Sequence, residues 1–218
     1  MTEGYRVMVD VEKTLYDNQQ PFLDYLNDFL RQKNKTFTEE DSFQASDIEG
    51  WGFEGVYEDF VDIQGWEDEE QQRFMEGYGQ WPGFHEAVDM VWTGELDYEI
   101  PQMEEGLEEE LQRLEGLEAV DEVVIGTSRG NFFSDYDVES AVEQRLEEDF
   151  GIQSGRVLFL QGKSGNADIY IDDNPEMDLG PDERQLAIRT EYNDHLSGEN
   201  LVDSFSEAVD RLSGKAAR

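Results

Sequence analysis

The sequence ADIYIDDNP, residues 167–175, joins an apolar run to two adjoining acidic residues. Its first half alternates in the manner of a buried β-strand, and the Asn-Pro pair after it stops the strand. Asp172 and Asp173 therefore follow the strand directly. Two unit charges ~4 Å apart repel by roughly 4 kcal/mol at an effective dielectric of 20, so adjoining carboxylates at a strand end are costly unless a cation accompanies them.

Strand and helix patterns alternate around this segment. Alternation of this kind predicts a parallel sheet covered by helices on both faces, which is a doubly wound, Rossmann-like α/β fold. The predicted strands are residues 5–10, 121–126, 155–161, 167–173 and 184–190, and the predicted helices are residues 21–32, 103–116, 137–151 and 199–214.

One region interrupts the alternation. From the first predicted helix to about residue 98 the chain shows helical or loop patterns and no clear strand. We therefore predict an α-helical insert, residues 18–98, within an α/β core formed by residues 1–17 and 99–218. The insert contains two aromatic clusters, WGFEGVYEDF and FMEGYGQWPGF, which we interpret as its own small core, with substrate contact as the alternative.

The charge of the chain is unusual. It carries 54 acidic residues against 16 Lys and Arg, with a formal net charge of −38. Such a chain repels itself in dilute buffer, but at 1 M salt the Debye length falls to ~3 Å and distant carboxylates are screened. The composition indicates a halophilic protein, although a nucleic-acid mimic or an acidic ion buffer would share it. The few basic residues cannot neutralise a phosphate backbone. We therefore expect no nucleic-acid polymer as partner.

Other features of the composition exclude further classes of protein and of functional site. Hydrophobic residues at 37% and aromatic residues at 12% indicate a folded core despite the charge. The absence of cysteine excludes disulfides, thiolate metal sites and cysteine nucleophiles. The start of the chain lacks a basic region followed by an apolar run, and no segment approaches the ~20 apolar residues of a membrane span. We expect a cytoplasmic protein without a membrane partner, and nothing in the composition fixes an oligomeric state.

Polar side chains stand directly after four of the predicted strands. In open α/β sheets, ligands bind in the crevice outside the carboxyl ends of the strands, so these side chains are expected to form one site. The candidates are Asp10, Glu12 and Thr14 after the first strand, Thr127 and Ser128 after the second, Lys163 after the third, and Asp172 and Asp173 after the fourth.

Four segments follow one another along the chain: VMVDVEKTLYDN (residues 7–18), VVIGTS (residues 123–128), the lone Lys163, and ADIYIDDNP. In this order they resemble the four motifs of the haloacid dehalogenase superfamily of phosphohydrolases. The resemblance covers most of the chain outside the insert, and the insert is similar in size to the helical cap of that family. The segment KSGNADIYIDDNP is similar to the corresponding segment of the deoxyribonucleotidase-like branch.

The resemblance implies Mg²⁺-dependent hydrolysis of a small phosphomonoester, such as a nucleotide. Asp10 would be the nucleophile that forms an aspartyl-phosphate, and Glu12 would be the general acid and base. Two further sets of roles follow from the same resemblance. Thr127, Ser128 and Lys163 would bind the phosphoryl group of the substrate, and Mg²⁺ would be held by Asp10, Asp172, Asp173 and the backbone carbonyl of Glu12. A hard dication with oxygen ligands would also remove the repulsion between these carboxylates.

Two residues depart from the family pattern. Glu12 stands where the family usually has aspartate, and Lys13 stands where glycine is common. Glutamate has the same chemistry on a longer side chain, and the enolase-phosphatase branch carries a similar Asp-x-Glu-x-Thr. A lysine at this position would crowd the turn or bring a positive charge near the phosphate. The alternative hypothesis is therefore a noncatalytic phosphate-binding or nucleotide-binding module on the same fold.

Overall fold

The structure is a computed structural model of the 218-residue chain. The resemblance of the insert to a helical cap, and its boundaries at residues 18 and 98, stay predictions, because most of residues 49–83, including most of both aromatic clusters, lies outside the described residues. The described residues are 4–33, 36–48, 56, 59, 84–129, 136–174, 177–190, 193, 195, 197–198 and 200–214.

The core is a six-stranded parallel sheet, which confirms the predicted α/β class. Its strands are β1 (Tyr5–Asp10), β2 (Val120–Thr127), β3 (Val157–Phe159), β4 (Ile169–Asp172), β5 (Arg184–Ile188) and β6 (Leu201–Val202). Their order in the sheet is β3-β2-β1-β4-β5-β6, so β1 lies in the interior between β2 and β4. The carboxyl ends of these three neighbouring strands therefore meet at one place.

Helices flank the sheet. The predicted helix 137–151 begins at Asp137, whose side chain accepts a hydrogen bond from the Ser140 backbone N–H, and ends at Gly151 in the left-handed region. None of the helices in the described part of the chain has the length and apolar character that a bilayer span requires. The α-helices are α1 (Gln19–Lys33), α2 (Phe84–Thr93), α3 (Leu107–Glu115), α4 (Val138–Phe150) and α5 (Phe205–Leu212).

The prediction of one helix over residues 199–214 was wrong at its start. Leu201 and Val202 form β6, which pairs in parallel with β5, and both side chains are buried. The helix begins only after Ser204, whose side chain accepts a hydrogen bond from the Glu207 backbone N–H. Two apolar residues are too few to show the alternation of a strand in the sequence, so tertiary pairing decided their conformation.

The two faces of the sheet are packed differently. Val7 and Val9 point into a large apolar cluster that includes buried side chains of all five described helices. Met8 points to the opposite face and joins a small cluster with Val124 and Tyr170. Among the described residues, strand and loop side chains rather than helices complete this second cluster. Full burial of one aliphatic side chain stabilises a fold by about 1.5–3 kcal/mol, so the first face contributes far more to stability.

Helix α2 belongs to the predicted insert and packs beside the carboxyl end of the sheet. It contacts α1 and α4. The ring of Trp92 meets the ring of Tyr16 edge to face, with 5.7 Å between their centroids. The guanidinium of Arg145 lies 5.7 Å from the Tyr16 ring and 5.8 Å from the Trp92 ring. These contacts fix α2 close to the segment that follows β1.

Candidate active site

Three aspartates meet at the carboxyl ends of the neighbouring strands β1 and β4. Val9 of β1 pairs with Ile171 of β4, so Asp10 and Asp172 end the two strands side by side, and Asp173 follows. One carboxylate oxygen of each aspartate lies within 4.8 Å of the others. All three residues are at least 97% buried. The structure thus brings together these predicted metal ligands, which we call the Asp10 cluster.

Lys163 contacts two members of this cluster. Its Nζ donates hydrogen bonds to Asp10 Oδ1 at 2.5 Å and to Asp172 Oδ2 at 2.6 Å. The lysine side chain is 12% exposed. It supplies one positive charge against three carboxylates, and buried charges are costly unless they are compensated. When all three carboxylates are ionised, the cluster therefore carries excess negative charge.

The pKa values of the cluster reflect this imbalance. Burial raises the pKa of Asp10 well above its ordinary value, and the negative charges of Asp172, Glu12 and Asp173 raise it further against the opposing effect of Lys163. Burial, together with the neighbouring Asp172, raises the pKa of Asp173 to about 8. Burial lowers the pKa of Lys163, but the two aspartates outweigh it, and the pKa lies above its ordinary value. The cluster therefore has a strong affinity for protons or another cation.

The chemistry of the donor set fits Mg²⁺. This ion prefers oxygen ligands, usually one or two carboxylates with waters and substrate phosphate. The Asp10 cluster offers carboxylate oxygens from three residues at one point. A divalent cation there would offset the repulsion that Lys163 leaves uncompensated.

Hydrogen bonds from two residues outside the predicted site, Tyr170 and Glu183, hold the loop that carries Lys163. The Tyr170 hydroxyl accepts hydrogen bonds from the backbone N–H groups of Asn166 and Ala167, and donates to Glu183 Oε1 at 2.8 Å. The Glu183 carboxylate also accepts from Ser164 Oγ at 2.7 Å. Because these bonds hold the residues directly after Lys163, Tyr170 and Glu183 restrict where Lys163 can lie. Sequence reasoning missed Glu183, because one carboxylate among 54 acidic residues carries no distinguishing signal.

The acidic segment after β4 is held in a similar way. The Nδ2 of Asn193 donates to the backbone carbonyls of Asp173 at 2.8 Å and Ile188 at 2.9 Å. Asn193 is only 1% exposed. The backbone N–H of Asn174 donates to Asp172 Oδ1 at 2.9 Å. These bonds tie the Asp172–Asn174 turn to the end of β5.

Glu12 belongs to a second arrangement beside the Asp10 cluster. The Thr127 hydroxyl lies 3.1 Å from Glu12 Oε1 and 2.9 Å from Oε2. Arg129 Nε donates to Glu12 Oε1 at 3.1 Å, and the Arg129 backbone N–H donates to Thr127 Oγ1 at 2.9 Å. The three residues form a closed ring of hydrogen bonds, which we call the Glu12 ring. Arg129 also reaches out of the ring, since its Nη1 donates to Asp89 Oδ1 of α2 at 3.1 Å.

The Glu12 ring involves two residues with predicted roles, Thr127 as a phosphate-binding residue and Glu12 as the general acid and base. The Thr127 hydroxyl, predicted to bind phosphate, has one proton and directs it at Glu12. The predicted acid and base, Glu12, is thereby held by two donors, and its carboxylate is not part of the Asp10 cluster. Ser128 lies next to the ring and is exposed. Arg129 links the ring to helix α2 of the predicted insert.

Lys13 adopts a backbone conformation that favours glycine. Its φ is +55°, in the left-handed region that side-chain-bearing residues rarely occupy. The side chain is buried, and its Nζ lies 3.1 Å from Asp17 Oδ1. Thr14 is also buried, and its hydroxyl has no hydrogen-bond partner among the residues that the structure describes.

Comparison with known proteins found structural but not sequence matches. No protein-family model matches the chain, and no curated protein matches it. A haloacid dehalogenase-like family hydrolase from Xanthomonas campestris is 16% identical, with 96% of this chain and 97% of that chain covered and a TM-score of 0.46. CbbY from Rhodobacter sphaeroides, in complex with phosphate, is 13% identical, with coverages of 95% and 96% and a TM-score of 0.35. Sequence identities and TM-scores this low carry no argument about function, which has to be inferred from the side chains at the strand ends.

Proposed function

We propose that this protein is a Mg²⁺-dependent hydrolase of small phosphomonoesters and that Asp10 is its nucleophile. The observation that carries the proposal is the position of Asp10, buried at the end of an interior strand and hydrogen-bonded to Lys163 beside two further aspartates. A carboxylate nucleophile, an ammonium group and a place for a dication are what phosphoryl transfer to an aspartate requires.

In the proposed reaction a carboxylate oxygen of Asp10 attacks phosphorus, and the bond between phosphorus and the ester oxygen breaks. The alcohol leaves, and Asp10 carries the phosphoryl group. Water then attacks phosphorus, releases inorganic phosphate and restores the Asp10 carboxylate. The hydrogen bond from Lys163 orients Asp10 and places positive charge next to the oxygens on which negative charge develops.

Asp10, Asp172 and Asp173 would hold Mg²⁺, with the backbone carbonyl of Glu12 as a further predicted ligand. When bound, the ion supplies positive charge that offsets the three carboxylates and the phosphoryl oxygens. The turn that presents Asp172 and Asp173 is fixed by Asn193 and by the Asn174 backbone. This fixed turn keeps two of the ligands in place before the ion arrives.

Glu12 would give a proton to the leaving alcohol and later take one from the attacking water. Thr127 and Ser128, at the end of β2, would contact the phosphoryl oxygens together with Lys163. The predicted helical insert would close over this edge of the sheet, exclude water and select the substrate. A nucleotide is the substrate class that the resemblance of the double-aspartate segment favours.

The test is phosphate release from p-nitrophenyl phosphate, deoxynucleotides and sugar phosphates in multimolar KCl, with and without MgCl₂. We expect Mg²⁺-dependent release that Asp10→Asn lowers by at least about 1000-fold, since this isosteric change removes the nucleophile. Asp178→Asn removes an exposed carboxylate near the acidic segment and is the matched control.

The alternative is a noncatalytic module that binds phosphate or a nucleotide. Folded protein that binds inorganic phosphate in calorimetry, but releases none from any ester, would favour this alternative over the phosphatase. Glu12 and Lys13, the two departures from the family pattern, would then be the first residues to exchange for aspartate and glycine.

A further inference from the structure

We infer that Arg129 is a positioning residue for Glu12 and that its ion pair with Asp89 makes the position of Glu12 depend on helix α2. The inference rests on the proposed function, in which Glu12 transfers protons. It gives Arg129 and Asp89 a role in positioning Glu12.

The first support is the geometry of the guanidinium. Its Nε donates to Glu12 and its Nη1 donates to Asp89, each at 3.1 Å. A guanidinium is planar and carries its five N–H groups in fixed directions, so two bonds to different carboxylates fix its orientation. Arg129 therefore determines the separation between the Glu12 carboxylate and α2.

The second support is the shielding of these charges from water. The side chains of Glu12 and Asp89 are each 14% exposed, and that of Arg129 is 25% exposed. Ion pairs at this depth are screened less than surface pairs, and removal of one partner leaves the others uncompensated. Without Arg129, the half-buried carboxylates of Glu12 and Asp89 would lose their shared cation.

The third support is that the Glu12 ring leaves Glu12 little freedom of its own. The Thr127 hydroxyl and Arg129 Nε together contact both carboxylate oxygens of Glu12. The Arg129 backbone N–H also orients the Thr127 hydroxyl. A shift of Arg129 therefore acts on Glu12 directly through Nε and indirectly through Thr127.

The chain offers a matched control in Arg113. This arginine also joins two carboxylates from different elements, Glu110 of α3 and Asp210 of α5, and its side chain is 29% exposed. The bridge lies between two helices that contribute no residue to the site. Arg113→Gln therefore has the same kind of structural effect as Arg129→Gln without contact to Glu12.

The activity experiment uses p-nitrophenyl phosphate with MgCl₂ in multimolar KCl. We expect Arg129→Gln to lower kcat by about 10- to 100-fold, as for a misplaced catalytic group, and to change KM by less than about threefold. Arg129→Lys should recover part of the loss, and Arg113→Gln should leave kcat unchanged. In a Glu12→Gln background, Arg129→Gln should change kcat by less than about twofold, because the two residues act as a unit.

Because p-nitrophenolate leaves without a proton, Glu12 acts on this substrate only as the base for hydrolysis of the aspartyl-phosphate. The slower hydrolysis that needs no base sets kcat in the Glu12→Gln background, and it is measured at high enzyme concentration. An unchanged kcat in Arg129→Gln, or an equal loss with and without Glu12, would overturn the positioning role.

A melting experiment tests the bridge without reference to activity. The melting temperatures of the wild type, Arg129→Gln, Asp89→Asn and the double variant are compared at the same KCl concentration without Mg²⁺. We expect the double variant to lose no more than the more damaging single variant, because the stabilising ion pair of Asp89 is the one that it shares with Arg129. Losses that add would overturn the bridge.

The two experiments separate this inference from the proposed function. A wild type that hydrolyses no ester overturns the proposed function and the catalytic importance of Arg129 with it, whatever the melting data show. A wild type that hydrolyses esters, with additive melting losses, leaves the function intact and overturns the link to α2.

Discussion

The two parts of the candidate site, the Asp10 cluster and the Glu12 ring, differ in how far their carboxylates are compensated by positive charge and hydrogen bonds. The Asp10 cluster gathers three buried carboxylates around the single ammonium of Lys163. In the Glu12 ring, by contrast, the Thr127 hydroxyl and the Arg129 guanidinium satisfy the carboxylate, and the same guanidinium reaches Asp89. One part is left with excess charge, whereas the other forms a closed set of hydrogen bonds.

This difference indicates different tasks. A cluster of uncompensated carboxylates lowers the stability of the protein when no cation is bound. The same uncompensated charge makes the binding of a cation favourable. A closed ring gains nothing from a further ligand and instead holds its members in place. In the proposed function, the Thr127 hydroxyl would turn from Glu12 to a bound phosphoryl group, and Arg129 would keep Glu12 in place. The variants below are expected to affect one part and spare the other.

The largest effect is expected from Asp172→Asn. Loss of a partner outside the ligand set costs about 10- to 100-fold in metal affinity, so loss of a ligand should lower affinity for Mn²⁺, used as a probe, by more than about 100-fold. Isothermal titration calorimetry would measure this, with Asp178→Asn as the exposed control. Unchanged Mn²⁺ affinity would show that the Asp10 cluster is not the metal site. Thr127→Val should leave the affinity unaltered, because the hydroxyl belongs to the other part.

The next effect concerns pH. The pKa of Asp173 is raised to about 8 by burial and by Asp172, so protons compete with the metal below that pH. Affinity for Mg²⁺ should rise by up to about tenfold per pH unit from pH 6 and level off above about 8. Because the raised pKa belongs to the folded state, the metal-free protein should lose stability as pH rises toward 8. Titrations and melting curves between pH 6 and 9 would check both trends, and a flat affinity profile would contradict them.

The smallest effect is expected from removal of single hydroxyl groups. Thr127→Val removes a donor to Glu12 and an acceptor for Arg129, and should lower the free energy of unfolding by about 1–2 kcal/mol. Thr190→Val is the matched control, since the buried Thr190 hydroxyl has no hydrogen-bond partner among the described residues. The control should be neutral or stabilising. Urea unfolding in high salt would compare them, and equal losses would show that the ring adds no stability.

Features set by local pattern were predictable from the sequence. The apolar runs around Val9 and Ile171 predicted two strands, which the structure contains as β1 and β4, and the alternation of strands with helices predicted the parallel sheet. The helix that begins after Asp137 was marked by its cap. In each case the residues that determine the feature are neighbours in the chain or belong to one strand.

Features that depend on distant contacts were not predictable. Arg129 and Asp89 are 40 residues apart, and nothing in either local sequence indicates their contact. Glu183 holds the Lys163 loop through hydrogen bonds although it lies 20 residues further along the chain. Its local sequence is like that of any other surface carboxylate in an acidic chain. The two-residue strand β6 forms only because β5 offers it an edge. Tertiary packing decides all three.

The order of the strands has a consequence for how the protein opens. The carboxyl ends that carry Asp10, Thr127 and Asp172 belong to β1, β2 and β4, and β1 pairs with both of the other two inside the sheet. The shortest strands, β3 and β6, form its margins. Fraying starts at such margins, whereas central strands exchange their amide hydrogens only in the rarest and largest openings. The strand backbone next to Asp10 is therefore the part of the sheet that solvent reaches last.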